Sequence, residues 1–289
     1  MKNFSKSCCV WLGWRFNFLA SFIKLIFKFF FSPCGVFTSG KEKAKEHKSK
    51  DEAKGIEYWI LWSFFTFFFI LFIQTYWPGV IPFDTFEFWE KTDIAGGMKA
   101  SIPIFFWGGT LTLLHSVITY NKPEINRDAE DLLFGGFIVS AIAGIFEEIA
   151  FRWLLFFDSI VAVKISNFLF FGFLGFGLNE FLHNWFFGPI VDFFTLGKMT
   201  WLIFGKGWAV GAALIIANAK FRKEHAYLGI FGFFNSWFIG FFLFDIMFEY
   251  GMLAVITVHF VYDMIIFIIR YFDAVFERFQ GRVPSNIQG

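Results

Sequence analysis

Long apolar runs separated by short polar or charged stretches dominate the chain. A helix of about 20 apolar residues has the length needed to cross the hydrocarbon core of a bilayer. Trp or Tyr stands at the ends of several runs, as is common at membrane–water interfaces. The pattern therefore predicts an all-α polytopic membrane protein with about 7–8 transmembrane helices. The predicted spans lie at about 57–76, 102–120, 133–156, 160–177, 201–219, 227–248 and 251–271.

The first 37 residues are apolar as well, but polar side chains interrupt them. Lys24 and Lys28 are four residues apart, so they share one face of a helix. A signal peptide needs an uninterrupted apolar core, whereas lysines with long apolar stems suit a helix in the membrane interface. We therefore predict an uncleaved interfacial helix. The predicted segments are this helix at 1–37, a charged cytosolic linker at 38–56, a transmembrane domain at 57–272 and a C-terminal tail at 273–289.

The distribution of Lys and Arg conflicts with the number of predicted spans. Basic residues concentrate on the cytoplasmic side of membrane proteins, and both the linker before residue 56 and the cluster at 220–223 are basic. These two clusters require an even number of crossings between them, but the apolar pattern gives five. We expect that one of the five is re-entrant or that the region 178–200 hides an extra crossing. The suspect region is 157–200, where polar residues interrupt the apolar run. The loop at 79–100 is expected to have little regular structure.

Composition supports the membrane class and argues against others. Hydrophobic residues make up 57% of the 289 residues and charged residues 17%, whereas soluble domains carry about 25% charged residues. The net charge is +1, and no basic surface interleaved with aromatic residues stands apart from the predicted spans, which argues against nucleic-acid binding. Cys8, Cys9 and Cys34 precede the first predicted span without metal-binding spacing and predict no disulfide framework.

One apolar stretch, Ala143–Phe157, contains three charged side chains. Glu148 and Arg152 are four residues apart, in the favourable order for an ion pair on one helical face. Glu147 is rotated from Glu148 by about 100° on a helix and has no such partner. Ionisable residues inside spans are costly and mark functional sites. A carboxyl group in an apolar setting holds its proton more tightly, which suits Glu147 to the role of a general base.

Two histidines are candidates to join these charges. His259 and Asp263 are four residues apart on the last predicted span and share a face. Such a pair can simply link two helices, but beside the intramembrane Glu–Glu–Arg set it indicates function. His183 follows the fourth predicted span. Two His, one Asp and two Glu are together able to hold and activate one water molecule.

The other polar side chains of the apolar segments receive structural interpretations. His115 is interpreted as a hydrogen-bonded packing histidine, and His225, which stands in a charged loop, as a solvated one. Asp245 and Glu249 come shortly before Gly251, so we expect them at a helix end in the membrane interface.

The segment Glu147–Arg152, EEIAFR, resembles the EExxxR signature of the CAAX protease and bacteriocin-processing family, abbreviated CPBP and also called ABI. Its members are polytopic intramembrane endopeptidases. The family's third motif, a His followed four residues later by Asn or a similar residue, is similar to His259 and Asp263. The resemblance covers residues 133–272.

The family's second motif, a Phe followed four residues later by His, is matched less completely. Asn179 stands where the Phe would precede His183. The pair Phe171-Gly172 resembles the start of the motif, but Gly175 occupies the position of the His. The order and rough spacing of the motifs assign this role to His183.

The resemblance implies a cavity open to the membrane in which a glutamate activates water to attack a peptide bond. It implies that Glu147 is the base and that Glu148 and Arg152 shape and charge-balance the site. The implied substrate is a membrane-associated peptide or protein, and the implied location is a bacterial cell membrane, with the chain crossing it several times.

The resemblance also assigns roles to the histidines. His183 and His259 would orient the water or stabilise the oxyanion, and Asp263 would fix the His259 ring. Asp263 in place of the family's Asn makes the set of Glu, His, His and Asp more capable of binding a divalent metal. Whether the site requires a metal stays open at this point, and the residues imply no other cofactor.

Three functions are compatible with these residues. The first is a CPBP-like intramembrane endopeptidase. The second is a catalytically inactive relative that binds a membrane partner, for example as an immunity-like factor. The third is a proton-coupled transporter that uses Glu and His as a relay, which is disfavoured because the sequence has no visible repeat symmetry and no paired broken helices.

Overall fold

The computed structural model describes the backbone of residues 45–119, 129–225 and 229–279, and side chains within 61–117, 133–225 and 232–276. The regular elements in these ranges are all helices. The predicted interfacial helix at 1–37 lies outside them. The elements are α1 (Lys45–Tyr76), α2 (Glu87–Glu90), α3 (Ile94–Ala100), α4 (Ile102–Thr119), α5 (Ala129–Glu147), the π-helical segment π1 (Glu148–Leu154), α6 (Leu155–Leu169), a 3₁₀ turn (Gly172–Leu174), α7 (Leu178–Leu182), a second π-helical segment π2 (His183–Phe187), α8 (Gly188–Phe194), α9 (Thr200–Ile203), α10 (Trp208–Glu224), α11 (Gly229–Tyr250) and α12 (Met252–Phe279).

The chain divides into two compact units, residues 1–69 and 70–289. In the first unit the described residues belong to α1, where Phe65 and Phe69 stack with their ring centroids 6.2 Å apart. The second unit contains the end of α1, every later element and all the site residues predicted from the sequence.

Within the described ranges, two helical stretches are long and apolar enough to cross a membrane, Leu133–Leu169 and Met252–Phe276. A third candidate arises if α3 and α4, which meet at a bend of 50°, count as one broken span. The all-α class is therefore confirmed, and these helices have the length expected of membrane spans. The predicted number of spans, about 7–8, is not confirmed by them.

Two predicted spans, 133–156 and 160–177, fall on one helical stretch, so treating them as separate spans was wrong. Leu133–Leu169 contains 37 residues and runs through α5, π1 and α6 without an intervening loop. The five predicted crossings between the two basic clusters therefore included one helix twice.

Short helices follow this long helix as far as Ile203, so the expected interruption of 157–200 begins only after α6. Phe171 and Leu196 have positive φ angles of 70° and 54°, a conformation that interrupts a helix. The predicted span 201–219 is broken as well, because a turn with φ of 96° at Gly207 separates α9 from α10. The loop at 79–100 contains α2 and α3, so the expected lack of regular structure there was wrong.

Helix α12 packs against α3, α4, α5 and α11, and two glycines set its position. Gly251 forms the turn between α11 and α12 with φ of 95°, where a Cβ would lie 2.1 Å from the Lys91 carbonyl oxygen. At Gly144 the backbones of α5 and α12 approach closely, because a Cβ there would lie 3.1 Å from the Ile256 carbonyl oxygen. These contacts place the middle of α12 beside the end of α5.

Candidate functional site

The end of α5 and the middle of α12 bring two predicted site residues into direct contact. Nδ1–H of His259 donates a hydrogen bond of 2.6 Å to Oε1 of Glu148, which lies 111 positions earlier in the chain. The two side chains are 5% and 0% exposed. A buried hydrogen bond between an imidazole and a carboxylate is strong and directional. It therefore fixes the orientation of the His259 ring and joins α12 to π1.

The two glutamates have different environments because a π-helical segment begins between them. Helix α5 ends at Glu147, and π1 starts at Glu148. The Glu148 side chain is fully buried, whereas 31% of the Glu147 side chain is exposed. Short π-helical segments are rare and occur frequently at functional sites. One carboxylate is thus buried and the other partly exposed, and the π turn that begins between them was not predicted.

Arg152 forms the predicted ion pair with Glu148. Its Nη1 lies 3.1 Å from Oε1 of Glu148, and both side chains are fully buried. The contact lacks hydrogen-bond geometry, and the guanidinium nitrogens have no hydrogen-bond partner among the described residues. The guanidinium carbon instead lies 3.7 Å from the centre of the Phe221 ring on α10, in a cation–π contact. Phe221 thus shares in holding the buried cation, a role that the sequence pattern does not predict.

Asp263 lies on the other side of the His259 ring. Its Oδ2 is 3.7 Å from Nε2 of His259, one helical turn away on α12. The side chain is 23% exposed, so it is more open to its surroundings than His259. A carboxylate in this position restricts the rotation of an imidazole. His259 is therefore held between a buried carboxylate at Nδ1 and a partly exposed one near Nε2.

His225 belongs to the same group, so its interpretation as a solvated residue was wrong. Its Nε2 lies 3.7 Å from Oε2 of Glu147, and its side chain is 18% exposed. Its Nδ1–H donates a hydrogen bond of 2.8 Å to the carbonyl oxygen of Phe221, four residues earlier on α10. The rings of His225 and Phe221 have their centroids 4.4 Å apart. Glu147 therefore has a partner that the sequence-based argument did not give it.

These contacts define one site at the junction of α5, π1, α10 and α12. Its buried part contains Glu148, Arg152 and His259, and the side chains of its other members are 18–31% exposed. We call it the carboxylate–histidine cluster, and it consists of Glu147, Glu148, Arg152, His225, His259 and Asp263.

The structure does not bring His183 to this cluster. Its Nε2–H donates a hydrogen bond of 3.1 Å to the carbonyl oxygen of Ile203, and its ring packs on the backbone of Gly211 in α10. Gly211 precedes Phe221 by ten residues, which is ~15 Å along a helix. Among the described residues, the ion pairs and hydrogen bonds of His183 include none with the cluster. Burial lowers the pKa of His183, as expected for a neutral packed ring.

Asp158 is a second buried residue that the sequence reasoning did not single out. Its side chain is on α6, 2% exposed, and its Oδ1 has no hydrogen-bond partner among the described residues. The signal was present in the sequence, because Asp158 interrupts the apolar run LLFFDSIV. For His225 the signal was the four-residue spacing from Phe221, which places both residues on one face if the helix continues past Lys220.

The cluster contains groups able to move a proton but not the geometry of a metal site. Within the described ranges, no group of three or more His, Cys, Asp or Glu side chains could hold a metal ion. A partly exposed carboxylate with an imidazole 3.7 Å away can accept a proton from water, as Glu147 and His225 are placed to do. The arrangement therefore fits acid–base chemistry by side chains.

Comparison of the chain with protein-family models, with curated proteins and with solved structures found no match. The likeness to the CPBP family accordingly rests on the motif residues of this sequence. Of these, Glu147, Glu148, Arg152, His259 and Asp263 lie together in the structure.

Proposed function

We propose that the chain is a CPBP-like intramembrane endopeptidase, in which Glu147 activates a water molecule to hydrolyse a peptide bond of a membrane-associated substrate. The observation that carries this proposal is the graded exposure of the cluster. Glu148, Arg152 and His259 are sealed in the protein, whereas Glu147 and Asp263 at their edge are partly exposed. A purely structural ion pair would not need two additional carboxylates at its open side.

The proposed reaction uses Glu147 as the general base. Its carboxylate accepts a proton from water while the water oxygen attacks the carbonyl carbon of the scissile peptide bond. The tetrahedral intermediate then collapses, the C–N bond breaks, and Glu147 delivers the proton to the leaving amine. The only product groups are a new carboxylate and a new amine.

The other residues of the cluster prepare the site for this step. Nε2 of His259 is the ring atom placed to orient the water or to stabilise the oxyanion. The hydrogen bond from Nδ1 to Glu148 and the nearby carboxylate of Asp263 hold that ring in position. Arg152 compensates the negative charge of Glu148, which would otherwise be buried alone.

A membrane location for the second unit is supported by the surfaces of its long helices. In the most apolar 18-residue segment of each long helix, only 28% is buried in the protein for Leu133–Leu169 and 33% for Met252–Phe276. Helices α6, α7 and α8 also leave many large apolar side chains exposed, among them Phe168, Phe181 and Phe193. Lipid chains are the natural covering for such surfaces, and in this proposal the chain crosses the membrane several times.

One observation favours the second candidate function, a catalytically inactive CPBP-like protein that binds a membrane partner. The family's second motif would supply a histidine to the site, but His183 packs against the far part of α10. If no other histidine replaces it, the cluster holds the fold together without turning over a substrate.

The experiment that separates the two functions is a screen of the purified protein in liposomes against a library of membrane-anchored peptides, with products identified by mass spectrometry. The peptidase proposal predicts cleaved products with the parent protein and none above background with Glu147→Gln. Glu87→Gln, which alters an exposed ion pair outside the cluster, is the matched control and should cleave as the parent does. A parent protein that cleaves no peptide would contradict the proposal and favour the inactive candidate.

A further inference from the structure

We infer that His225 is the histidine that positions the carboxylate of Glu147. It is the second histidine of the site, which the family resemblance would have supplied from His183. The catalytic role of His225 rests on the proposed function. The contact between His225 and Glu147 does not depend on it. His225 follows α10 directly, in the segment KFRKEHAY, which is rich in charged residues.

The His225 ring is fixed by two contacts with a single residue. The last turn of a helix leaves carbonyl groups without partners, and the Phe221 carbonyl accepts a hydrogen bond of 2.8 Å from Nδ1–H of His225. The Phe221 ring also packs on the imidazole, with 4.4 Å between the centroids. Because Nδ1–H donates this hydrogen bond, the opposite nitrogen, Nε2, faces Glu147, and it attracts the carboxylate when the imidazole is doubly protonated.

Phe221 couples His225 to the rest of the cluster. The same ring lies 3.7 Å from the Arg152 guanidinium carbon and 6.2 Å, edge to face, from the His259 ring. One aromatic side chain therefore aligns the buried cation and both histidines. The position of Glu147 relative to His259 is consequently linked to the C-terminal end of α10, and not to π2, which carries His183.

The distance between Nε2 of His225 and Oε2 of Glu147, 3.7 Å, is slightly longer than a hydrogen bond, and this oxygen is itself buried without a hydrogen-bond partner among the described residues. Both groups retain exposure, 18% for His225 and 31% for Glu147. His183, by comparison, is 2% exposed and donates Nε2–H to a backbone carbonyl. Of the two histidines, His225 is therefore the one that contacts the proposed base.

Kinetics of three variants test the catalytic part of the inference. His225→Phe keeps a ring on Phe221 but removes both nitrogens, and we expect kcat to fall by about 10- to 100-fold with KM within about twofold. His225→Gln, which retains a polar group, should recover part of this loss. His183→Asn should keep kcat within about threefold of the parent. A parental kcat in His225→Phe would overturn the inference.

A second readout separates this inference from the proposed function. In protein labelled with ¹⁵N-histidine, the His225 ring resonances, assigned by their loss in His225→Phe, should shift in Glu147→Gln and stay unchanged in Glu87→Gln. Identical His225 resonances in the parent and in Glu147→Gln would overturn the inference even if peptides are cleaved. If the resonances shift but Glu147→Gln still cleaves at the parental rate, the contact stands and the proposed peptidase mechanism fails.

Discussion

Glu148 and His259, 111 positions apart in the chain, are joined by a buried hydrogen bond of 2.6 Å between Oε1 and Nδ1. The same carboxylate oxygen lies 3.1 Å from Nη1 of Arg152. Glu148 therefore connects α12 to π1 and compensates the Arg152 guanidinium buried beside it. These partners compensate the charge of Glu148, whereas the neighbouring Glu147 lies at the partly exposed edge of the cluster, which is why we propose Glu147 as the base.

Glu148→Gln should destabilise the protein strongly. The substitution leaves the Arg152 guanidinium fully buried without its carboxylate, and breaking a buried ion pair on one side costs about 3–5 kcal/mol. Glu87→Gln makes the same chemical change in the Lys91–Glu87 pair, whose side chains are both 39% exposed, and should cost about 0–1 kcal/mol. Denaturant unfolding of both variants in detergent measures the difference, and equal free energies would show that the buried pair does not hold the fold.

Gly144→Ala should separate α5 from α12. The added methyl group would lie 3.1 Å from the Ile256 carbonyl oxygen and 3.3 Å from the Phe260 backbone nitrogen, and neither atom can move without moving α12. We expect a loss of about 1–3 kcal/mol in the free energy of unfolding and a weaker peptidase activity.

Gly135→Ala is the control for this prediction because it lies on the same helix with no atom within 4 Å of its Cβ position. It should be neutral or stabilising by up to about 1 kcal/mol, since Ala favours helix more than Gly does. If both alanine variants unfold alike, the close approach at Gly144 does not set the site.

Asp263→Asn should preserve most of the activity, and Asp263→Leu should remove it. An amide oxygen near Nε2 of His259 can still restrain the ring, while an isobutyl group cannot. We expect Asp263→Asn within about tenfold and Asp263→Leu at least about 100-fold below the parent in kcat/KM. A fully active Asp263→Leu would show that this carboxylate has no part in positioning His259.

His183 should make the folded protein sensitive to mild acid. Burial lowers its pKa below the ordinary value of 6.5, so the unfolded chain binds a proton more readily than the folded one as the pH falls through that value. Stability is therefore complete above pH 6.5 and decreases below it, with a slope of up to about 1.4 kcal/mol per pH unit.

His183→Asn removes this titration, so its loss of stability between pH 7.5 and pH 5.5 should be smaller than that of the parent. Unfolding curves of both proteins at the two pH values give the comparison, and the difference cancels every other titrating group. Equal losses would mean that His183 is not held neutral by burial.

The sequence pattern predicted the parts of the site that depend on spacing along one helix. Glu148 with Arg152 and His259 with Asp263 are pairs of residues four apart, and both pairs are present. Helical periodicity is a local property, so such pairs can be read from the chain. The all-α class follows in the same way from the length of the apolar runs.

Contacts between helices could not be read in this way. The hydrogen bond between Glu148 and His259 and the contact between Glu147 and His225 depend on how α5, α10 and α12 pack. His225 was missed because the charges around it suggested a loop, although α10 continues through Glu224. The π-helical turn at Glu148 has no signal in a pattern with a period of 3.6.

The most direct test of the proposed chemistry is a single-turnover cleavage of a substrate peptide from the library screen, in liposomes and in ¹⁸O-enriched water, with the parent and with Glu147→Gln. The parent should release a product whose new carboxylate has gained one ¹⁸O atom. Glu147→Gln should be slower by a factor of about 10² to 10⁴, the usual contribution of a general base, with an unfolding free energy within about 1 kcal/mol of the parent, as expected for a partly exposed pair. Cleavage by Glu147→Gln at the parental rate would contradict the assignment of Glu147 as the base and the peptidase mechanism built on it.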